Sequence, residues 1–384
     1  AKEAQTRMAA FTSDERQLLH ESLEEYFKAN YPFERFRELT DRQHSEGFAR
    51  DAWAEYASLG WLGVALPEGA GGSAGGMTEL AIVMAAAGNA LALEPFVPTL
   101  VLGSGAIELA GTESQQELLG QVCAGEHLLA FCHTEPDAGF ARSYVKAVAT
   151  PTGDGYTITG EKSFALHAHA ADTLVVSARL GNDTGPIGLF LVPRDTNGLK
   201  LTPAPTLDER RGAAISLSSV SLPASACLGE NDSDRTALID QLLDRAALAV
   251  CAEAAGAMAN ATEQTVEYTK TREQFGQPLS KFQVLQHRMV DMSVAAEGAR
   301  AATHAALRAY DEASADAQTK VWRAKVETAR AARFVGGQGI QLHGGMGMTD
   351  DLAIGHYYKR LTLCETLYGD ADWYVGQLAR LDAL

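Results

Sequence analysis

Arg272, Gln274, Phe275 and Gly276 stand together in the run Thr271-Arg272-Glu273-Gln274-Phe275-Gly276-Gln277-Pro278-Leu279, just ahead of Phe282-Gln283. A guanidinium is a planar fork for pyrophosphate oxygens. An aromatic ring offers a face to a heterocycle, and glycine lets backbone approach closely. Taken alone, the run is most simply a solvated turn between two helices. A second segment is Gln338-Gly339-Ile340-Gln341-Leu342-His343-Gly344-Gly345-Met346-Gly347-Met348. A glycine cluster after a helical pattern is usually a helix stop. Here it adjoins Gln341, which can both donate to and accept from a ligand. A third is Phe131-Cys132-His133-Thr134-Glu135-Pro136-Asp137-Ala138-Gly139, where Pro136 and Gly139 fix a turn and Thr134 supplies a hydroxyl. No GxGxxG follows a strand pattern, so a dinucleotide has to be held otherwise than in a Rossmann crevice.

Other candidates carry less. His167 and His169 alternate, so in a strand they share a face. Two imidazoles without a third ligand are too few for zinc, and no metal is expected. The cysteines are Cys123, Cys132, Cys227, Cys251 and Cys364. An odd count without CxxC points to reduced, buried thiols in a cytoplasmic protein.

The pattern that positions these residues changes twice. From Ser13 to about Leu129 it is helical. Ser13 reads as an N-cap with Asp14 and Glu15 in the first turn, and Leu18, Leu19, Leu23 and Phe27 recur at helical spacing. Pro67-Glu68-Gly69-Ala70-Gly71-Gly72 interrupts as a loop, and Met77 to Leu91 is helical again. From about Ala130 to Glu230 short strands dominate, including Tyr156 to Thr159, Leu174 to Ser177, Ile187 to Val192 and an alternating Ile215 to Leu222. Such a series suggests a barrel or sandwich. After about Ser233 the chain is Ala-rich, with long helices expected at 235–270, 282–312, 315–340 and 353–381 forming a bundle. The expectation is an α+β multidomain chain: a helical domain over 1–129, a β-domain over 130–232 and a helical bundle over 233–384.

A formal net charge of −17 argues against nucleic acid or an acidic membrane surface as a partner. It leaves room for an anionic small ligand in a local basic pocket. No uninterrupted apolar stretch is long enough to span a bilayer. Ala1 to Thr12 is mixed and polar, without the apolar core of a signal peptide.

In this order the motifs resemble the acyl-CoA dehydrogenase family over nearly the whole chain. The resemblance is carried by Gly60-Trp61-Leu62-Gly63, Pro67-Glu68 and Gly71-Gly72, then Thr134-Glu135-Pro136 with Gly139, and Gly160-Glu161-Lys162. It continues with Val220, Pro223 and Leu228-Gly229-Glu230, and closes with the two C-terminal segments above. It implies an N-terminal helical domain, a β-barrel-like domain and a C-terminal four-helix bundle, assembled as a tetramer. It implies FAD as cofactor, an acyl-CoA substrate and an electron-transfer flavoprotein as acceptor. By motif match Arg272, Gln274, Phe275, Gln283, Gln341, Gly344 and Gly345 hold the diphosphate and adenine end across a subunit interface. Thr134, Gly139 and Phe164 line the isoalloxazine ring.

The sequence departs from the family pattern at the catalytic base. Many relatives carry Glu-Gly-Thr where this chain has Tyr368-Gly369-Asp370, and others place the glutamate at the position of Ala246. Tyrosine, with a pKa of about 10, is a poor base near neutrality. The carboxylates left to consider are Asp370 first, Asp244 second and Glu365 third, with Tyr368 itself at the matching site. Leu166 replaces a Thr near the flavin, and Phe140 a Ser. Three readings follow: a self-sufficient acyl-CoA dehydrogenase, a non-catalytic or site-sharing subunit of a heteromeric one, and a flavin monooxygenase or oxidase of the same fold.

Overall fold

The computed structural model describes residues 11–41, 46–229 and 233–382. Ala1 to Ala10 and Glu230, read above, lie outside them. Helices come first: α1 (Ser13–Asn30), α2 (Phe33–Thr40), α3 (Arg50–Ser58) and α4 (Met77–Asn89). A π-helical stretch, Phe96–Gly103, leads into α5 (Ser104–Ala110), α6 (Glu113–Gln116) and α7 (Leu118–Cys123). Strands follow: β1 (Leu129–Cys132), β2 (Val148–Pro151), β3 (Gly155–Leu166), β4 (Thr173–Leu180), β5 (Ile187–Pro193), β6 (Leu199–Pro205) and β7 (Arg211–Pro223). Then come α8 (Thr236–Thr271), the hairpin strands β8 (Glu273–Gln274) and β9 (Gln277–Pro278), α9 (Gln283–Asp311), α10 (Ala317–His343), α11 (Ala353–Thr366) and α12 (Ala371–Asp382). The fold is the expected one, helices on either side in sequence of a central curled sheet.

Contacts gather the described chain into two units. One holds residues 39–75 and 93–246, with the sheet; the other holds 11–38, 76–92 and the helices from 247 onward.

In the first unit the strands form one sheet in the order β1-β4-β2-β3-β7-β6, with β5 on the far edge of β4. Ile158, Leu174, Val176, Phe190, Ile215 and Val220 fill its inner face. The alternation of β7 slips within the expected strand. Ser218 and Ser219 together face Thr159, and Ser219 sits at φ 56°. This bulge explains why Ile215 and Leu217 point inward and then Val220 and Leu222 do so, one position out of phase. A second bulge lies at Ser163 and Phe164, between the pairs Lys162↔Ile215 and Ala165↔Ala213.

In the second unit, α1 is capped by Thr12 rather than by Ser13. The Thr12 side chain accepts from Glu15 N (3.2 Å), and Glu15 accepts in return from Thr12 N (2.7 Å). The small residues toward the end of α4 serve backbone approach. A Cβ on Gly88 would lie 2.0 Å from the Glu253 carbonyl oxygen, and one on Gly256 would lie 1.9 Å from that of Ala85. Arg360 closes this contact, donating to Glu253 Oε1 (2.9 Å) and to the carbonyls of Ala92 (3.1 Å) and Leu91 (3.4 Å).

The helix expected over 353–381 is two helices. Tyr368 (φ 61°) and Gly369 (φ 121°) break it, since neither lies in the helical region. The buried Lys325 amine donates to the carbonyls of Cys364 (2.8 Å) and Glu365 (2.9 Å), satisfying acceptors that the end of α11 leaves open. Tyr374 OH holds the Tyr368 carbonyl (2.9 Å).

The α4–α8 contact makes Gly256→Ala a direct test of packing. Overpacking of this kind costs roughly 1–3 kcal/mol. Urea unfolding should show a loss of that size, whereas Gly337→Ala, where a Cβ meets nothing within 4 Å, should leave sterics undisturbed.

Candidate functional site

The helical unit carries a groove of about 630 Å³ whose lining includes Arg272, Gln274, Arg288, Gln341, Gly344 and Gly345. Arg272 lies where α8 ends. The hairpin β8–β9 pairs Gln274 with Gln277 around a two-residue turn. Both turn residues are left-handed, Phe275 at φ 57° and Gly276 at φ 80°, as a tight hairpin of this twist requires. Glycine adopts that conformation freely; phenylalanine is strained there. Phe275 is nevertheless 89% exposed, touching Phe282 edge-on at 6.1 Å.

The far wall is the end of α10. His343 stacks on Tyr268 with ring centres 4.2 Å apart and donates from Nδ1 to the Gly339 carbonyl (2.8 Å). Gly344 (φ 60°) and Gly345 have open space where a Cβ would stand. Two guanidinium groups, amide side chains and bare glycine backbone along one groove suit a diphosphate and its attached heterocycle. Gln283 starts α9 and is exposed, but it does not line the groove. The residues present therefore fit the adenosine diphosphate end of FAD.

The sheet unit carries the other motif. Thr134 and Ser163 are exposed, and the Thr134 carbonyl accepts from Ser163 N (2.9 Å) and Oγ (3.2 Å). Phe164 is re-aimed by the bulge at its position and is given room by Gly212, where a Cβ would come within 2.5 Å of the ring. Gly139 (φ 52°) and Asp137 (φ 66°) turn the chain back from β1. Leu166 is buried, and Phe140 is 37% exposed. The face offered here is an aromatic ring, a hydroxyl and turn backbone.

Behind that face lies a buried polar chain that sequence patterns do not reveal. Lys162 Nζ contacts Glu135 Oε1 (2.6 Å), and the Glu135 carboxylate also accepts from the amides of Lys146 (2.6 Å) and Ala147 (3.1 Å). Lys162 also donates to Ser177 Oγ (3.0 Å). His133 meets Ser177 Oγ through Nδ1 (2.9 Å) and the Arg142 carbonyl through Nε2 (2.9 Å). A carbonyl only accepts, so Nε2 carries the proton and Nδ1 accepts from the Ser177 hydroxyl. His133 sits inside the motif but turns both nitrogens into the protein. His167 and His169 lie in the turn after β3, not in a strand, with rings 6.0 Å apart. Among the described residues no group of three His, Cys, Asp or Glu could hold a metal ion.

The carboxylates considered as base each have a structural engagement. Asp370 caps α12, its Oδ1 accepting from Trp373 N (2.8 Å). Asp244 is buried against Arg142, 2.9 Å from Nη2. Glu365 is bound by Arg333 through two nitrogens. Tyr368 stands in the strained break between α11 and α12, and Ala246 is fully buried.

A central curled sheet flanked in sequence by helices, with a groove in the bundle lined by glycines and two guanidinium groups, is an architecture shared with flavoproteins of the dehydrogenase class. The family descriptions agree: an acyl-CoA dehydrogenase N-terminal domain matches residues 13–126, a middle domain 130–219 and a C-terminal domain 236–381. FadE12 of Mycobacterium tuberculosis, an acyl-CoA dehydrogenase, is 32% identical over 355 residues, covering 89% of each chain. A variant of the Tcur3481–Tcur3483 steroid ACAD is 30% identical with a TM-score of 0.87, covering 96% of this chain and 98% of its own. The ChsE4–ChsE5 complex from Mycobacterium tuberculosis is 26% identical with a TM-score of 0.87, covering 97% and 98%. The chain belongs to the acyl-CoA dehydrogenase family, FAD-dependent oxidoreductases that act on CH–CH bonds of acyl-CoA thioesters. Among the described residues no helix is long and apolar enough to cross a membrane.

The buried imidazole gives the sheet unit a pH signature. Burial first, and the Lys162 charge second, push the His133 pKa down to about 4. The unfolded chain takes up this proton near pH 6.5. Stability is therefore full above the unfolded value, falls as pH drops through the interval, and levels off below the folded one. Denaturation followed from about pH 7 to about pH 4 should lose on the order of 3 kcal/mol through this residue. His133→Gln should flatten that part of the profile; superimposable profiles would remove the assignment.

Proposed function

We propose that this chain is the site-sharing subunit of a heteromeric, cytoplasmic acyl-CoA dehydrogenase. It contributes the adenosine diphosphate cradle and a flavin-facing sheet, and a related partner chain contributes the base. Its modules in this reading are residues 1–129, 130–232 and 233–384. Its free cysteines are in keeping with a reducing compartment.

The observation that carries the reading is the engagement of every carboxylate considered for the base. Removing an α-proton from a thioester needs a basic group in a dry pocket within reach of that proton, and stabilisation of the enolate oxygen. Tyr368 stands at one family position for that group and Ala246 at the other. Asp370, Asp244 and Glu365 are bound in a cap and two ion pairs. FAD, when bound, supplies the hydride acceptor. Arg272, Gln274, Gln341, Gly344 and Gly345 would hold the diphosphate end across a subunit interface. Phe275 and Gln283 reach beyond the groove toward a second chain, and Thr134, Gly139 and Phe164 face the ring.

Two of the solved relatives named above carry paired chain names, Tcur3481–Tcur3483 and ChsE4–ChsE5, which supports a two-chain assembly. The first is called a steroid ACAD, which favours a polycyclic acyl thioester as substrate. An electron-transfer flavoprotein completes the cycle as acceptor.

Expression alone and with a related chain bearing a Glu-Gly-Thr segment tests the reading. Alone, the protein should be colourless or partly loaded and should not bleach with any acyl-CoA. Together the pair should hold FAD and turn over. A fully yellow homotetramer, bleached by an acyl-CoA, would sink it. Asp370→Asn separates cap from base, because asparagine caps as well as aspartate but abstracts no proton. Turnover of the pair and the unfolding midpoint should both stay near the parent values; collapse of turnover with stability intact would make Asp370 the base.

A further inference from the structure

His133 joins two pieces of structure that the family motif leaves separate. The loop from β1 to β2 runs over residues 133–147. Its base is stapled by Glu135, through the amides of Lys146 and Ala147. Its later part is gripped from β4 by Arg179, which donates to the carbonyls of Ser143 (3.0 Å) and Val145 (2.7 Å). Within the stretch from Gly139 to Arg142, Ala141 makes two turn bonds, its amide donating to Ala138 O (2.9 Å) and its carbonyl accepting from Tyr144 N (3.1 Å). The Arg142 carbonyl is held by His133 Nε2, and its guanidinium lies against Asp244 (2.9 Å) and the Asp240 carbonyl (3.2 Å) on α8.

We propose that His133 is a positioning residue. As the neutral imidazole with its proton on Nε2, it fixes the 139–142 turn, which presents Phe140 on one side and sends Arg142 to Asp244 on the other. The assignment of this turn to the flavin rests on the function proposed above; the fixing of the turn does not.

The donor directions make the device one-way. The Arg142 carbonyl can only accept, so Nε2 donates to it and the bare Nδ1 of the neutral ring accepts from the Ser177 hydroxyl, whose oxygen accepts from Lys162. That leaves Nε2–H as the tautomer that completes the chain at the Arg142 carbonyl. The charged groups facing the imidazole are Lys162 on β3 and Glu135 and Arg142 on the loop, with the Phe131 ring 5.8 Å away. Lys162 is within the protein core and bound to Glu135, so the chain has a fixed, charged origin. A hydrophobic residue at 133 would fill the space and leave the Arg142 carbonyl without its donor.

Hydrogen exchange and nitrogen NMR on the full-length holoprotein, with its partner chain where one is needed for loading, test the proposal. At neutral pH the nitrogen shifts of His133 should report a protonated Nε2 and a bare Nδ1. In His133→Leu the Ala141 amide should exchange at least tenfold faster, while the Lys146 and Ala147 amides, held by Glu135, keep their parent rates. His133→Gln, whose amide nitrogen can reach the same carbonyl, should restore slow exchange at Ala141. Should His133→Leu not fold, Ser177→Ala serves: Nε2 should stay protonated on the Arg142 carbonyl while the Nδ1 shift moves as that nitrogen loses its donor, and a proton moving to Nδ1 would overturn the proposal. An Nδ1-protonated ring in the parent protein, or equal Ala141 exchange in the parent and the Leu and Gln variants, would overturn the proposal. A flavin absorbance band that ignores His133→Leu while Ala141 exchange responds would overturn only the assignment of the turn to the ring.

Discussion

A lysine ammonium with no exposed side-chain surface stands at the centre of the sheet unit. Removing such a charge from water costs several kcal/mol unless it is paired and its remaining protons are bonded. Burial accordingly drags the Lys162 pKa down, and Glu135 opposes that shift. The need to satisfy this one amine organises what surrounds it. Glu135 must face inward, which turns Thr134 outward. Ser177 must lie on the inner side of β4, which orients His133. A strand, a loop and a neighbouring strand are thus fixed to each other by polar contacts, where apolar side chains alone would permit sliding.

The helical unit solves a similar problem with backbone. Its glycines at the α4–α8 contact let two helices approach until main chain meets main chain, and Arg360 ties the loose carbonyls beyond α4. Lys325 does the same for α11, so the break that carries Tyr368 is held at both sides. The position at which relatives present a base is therefore a constructed site occupied by a different residue. That combination, a preserved scaffold without its usual carboxylate, is the ground of the two-chain reading proposed above.

Much of this was legible in the sequence, and the limits have physical causes. The helix, strand and turn patterns located β3, β4, β5 and β7 and the long helices α8, α9 and α10, because burial imposes a period on each; β1, β2 and β6 were not singled out. The break after Thr366 was invisible because it depends on Tyr368 adopting a left-handed backbone, for which tyrosine gives no warning. The bulges in β7 and β3 show only as a slipped phase, Leu217 to Val220, and that signal could have been used. Gly276, Gly344 and Gly345 read singly as a turn and a helix stop, and pointed to a ligand only through the order of motifs that resembles the family. The chain from Lys162 to Arg142 could not be read, because its members are spread over residues 133–177 and meet only when β3 lies beside the loop after β1. The candidate base residues illustrate the opposite case: a carboxylate in a sequence does not say whether it is already engaged, as Asp370 is by the first turn of α12.

The hairpin around Phe275 has a kinetic consequence. Its strands are paired and its turn is already in the strained form, so the surface it offers exists before any second chain arrives. In the two-chain assembly proposed above, encounter at this tip would resemble the docking of two finished parts, governed by orientation and diffusion, not by folding on contact. Little conformational entropy remains to be lost there. Any strength gained at that tip in the proposed assembly would show mainly as a longer residence time.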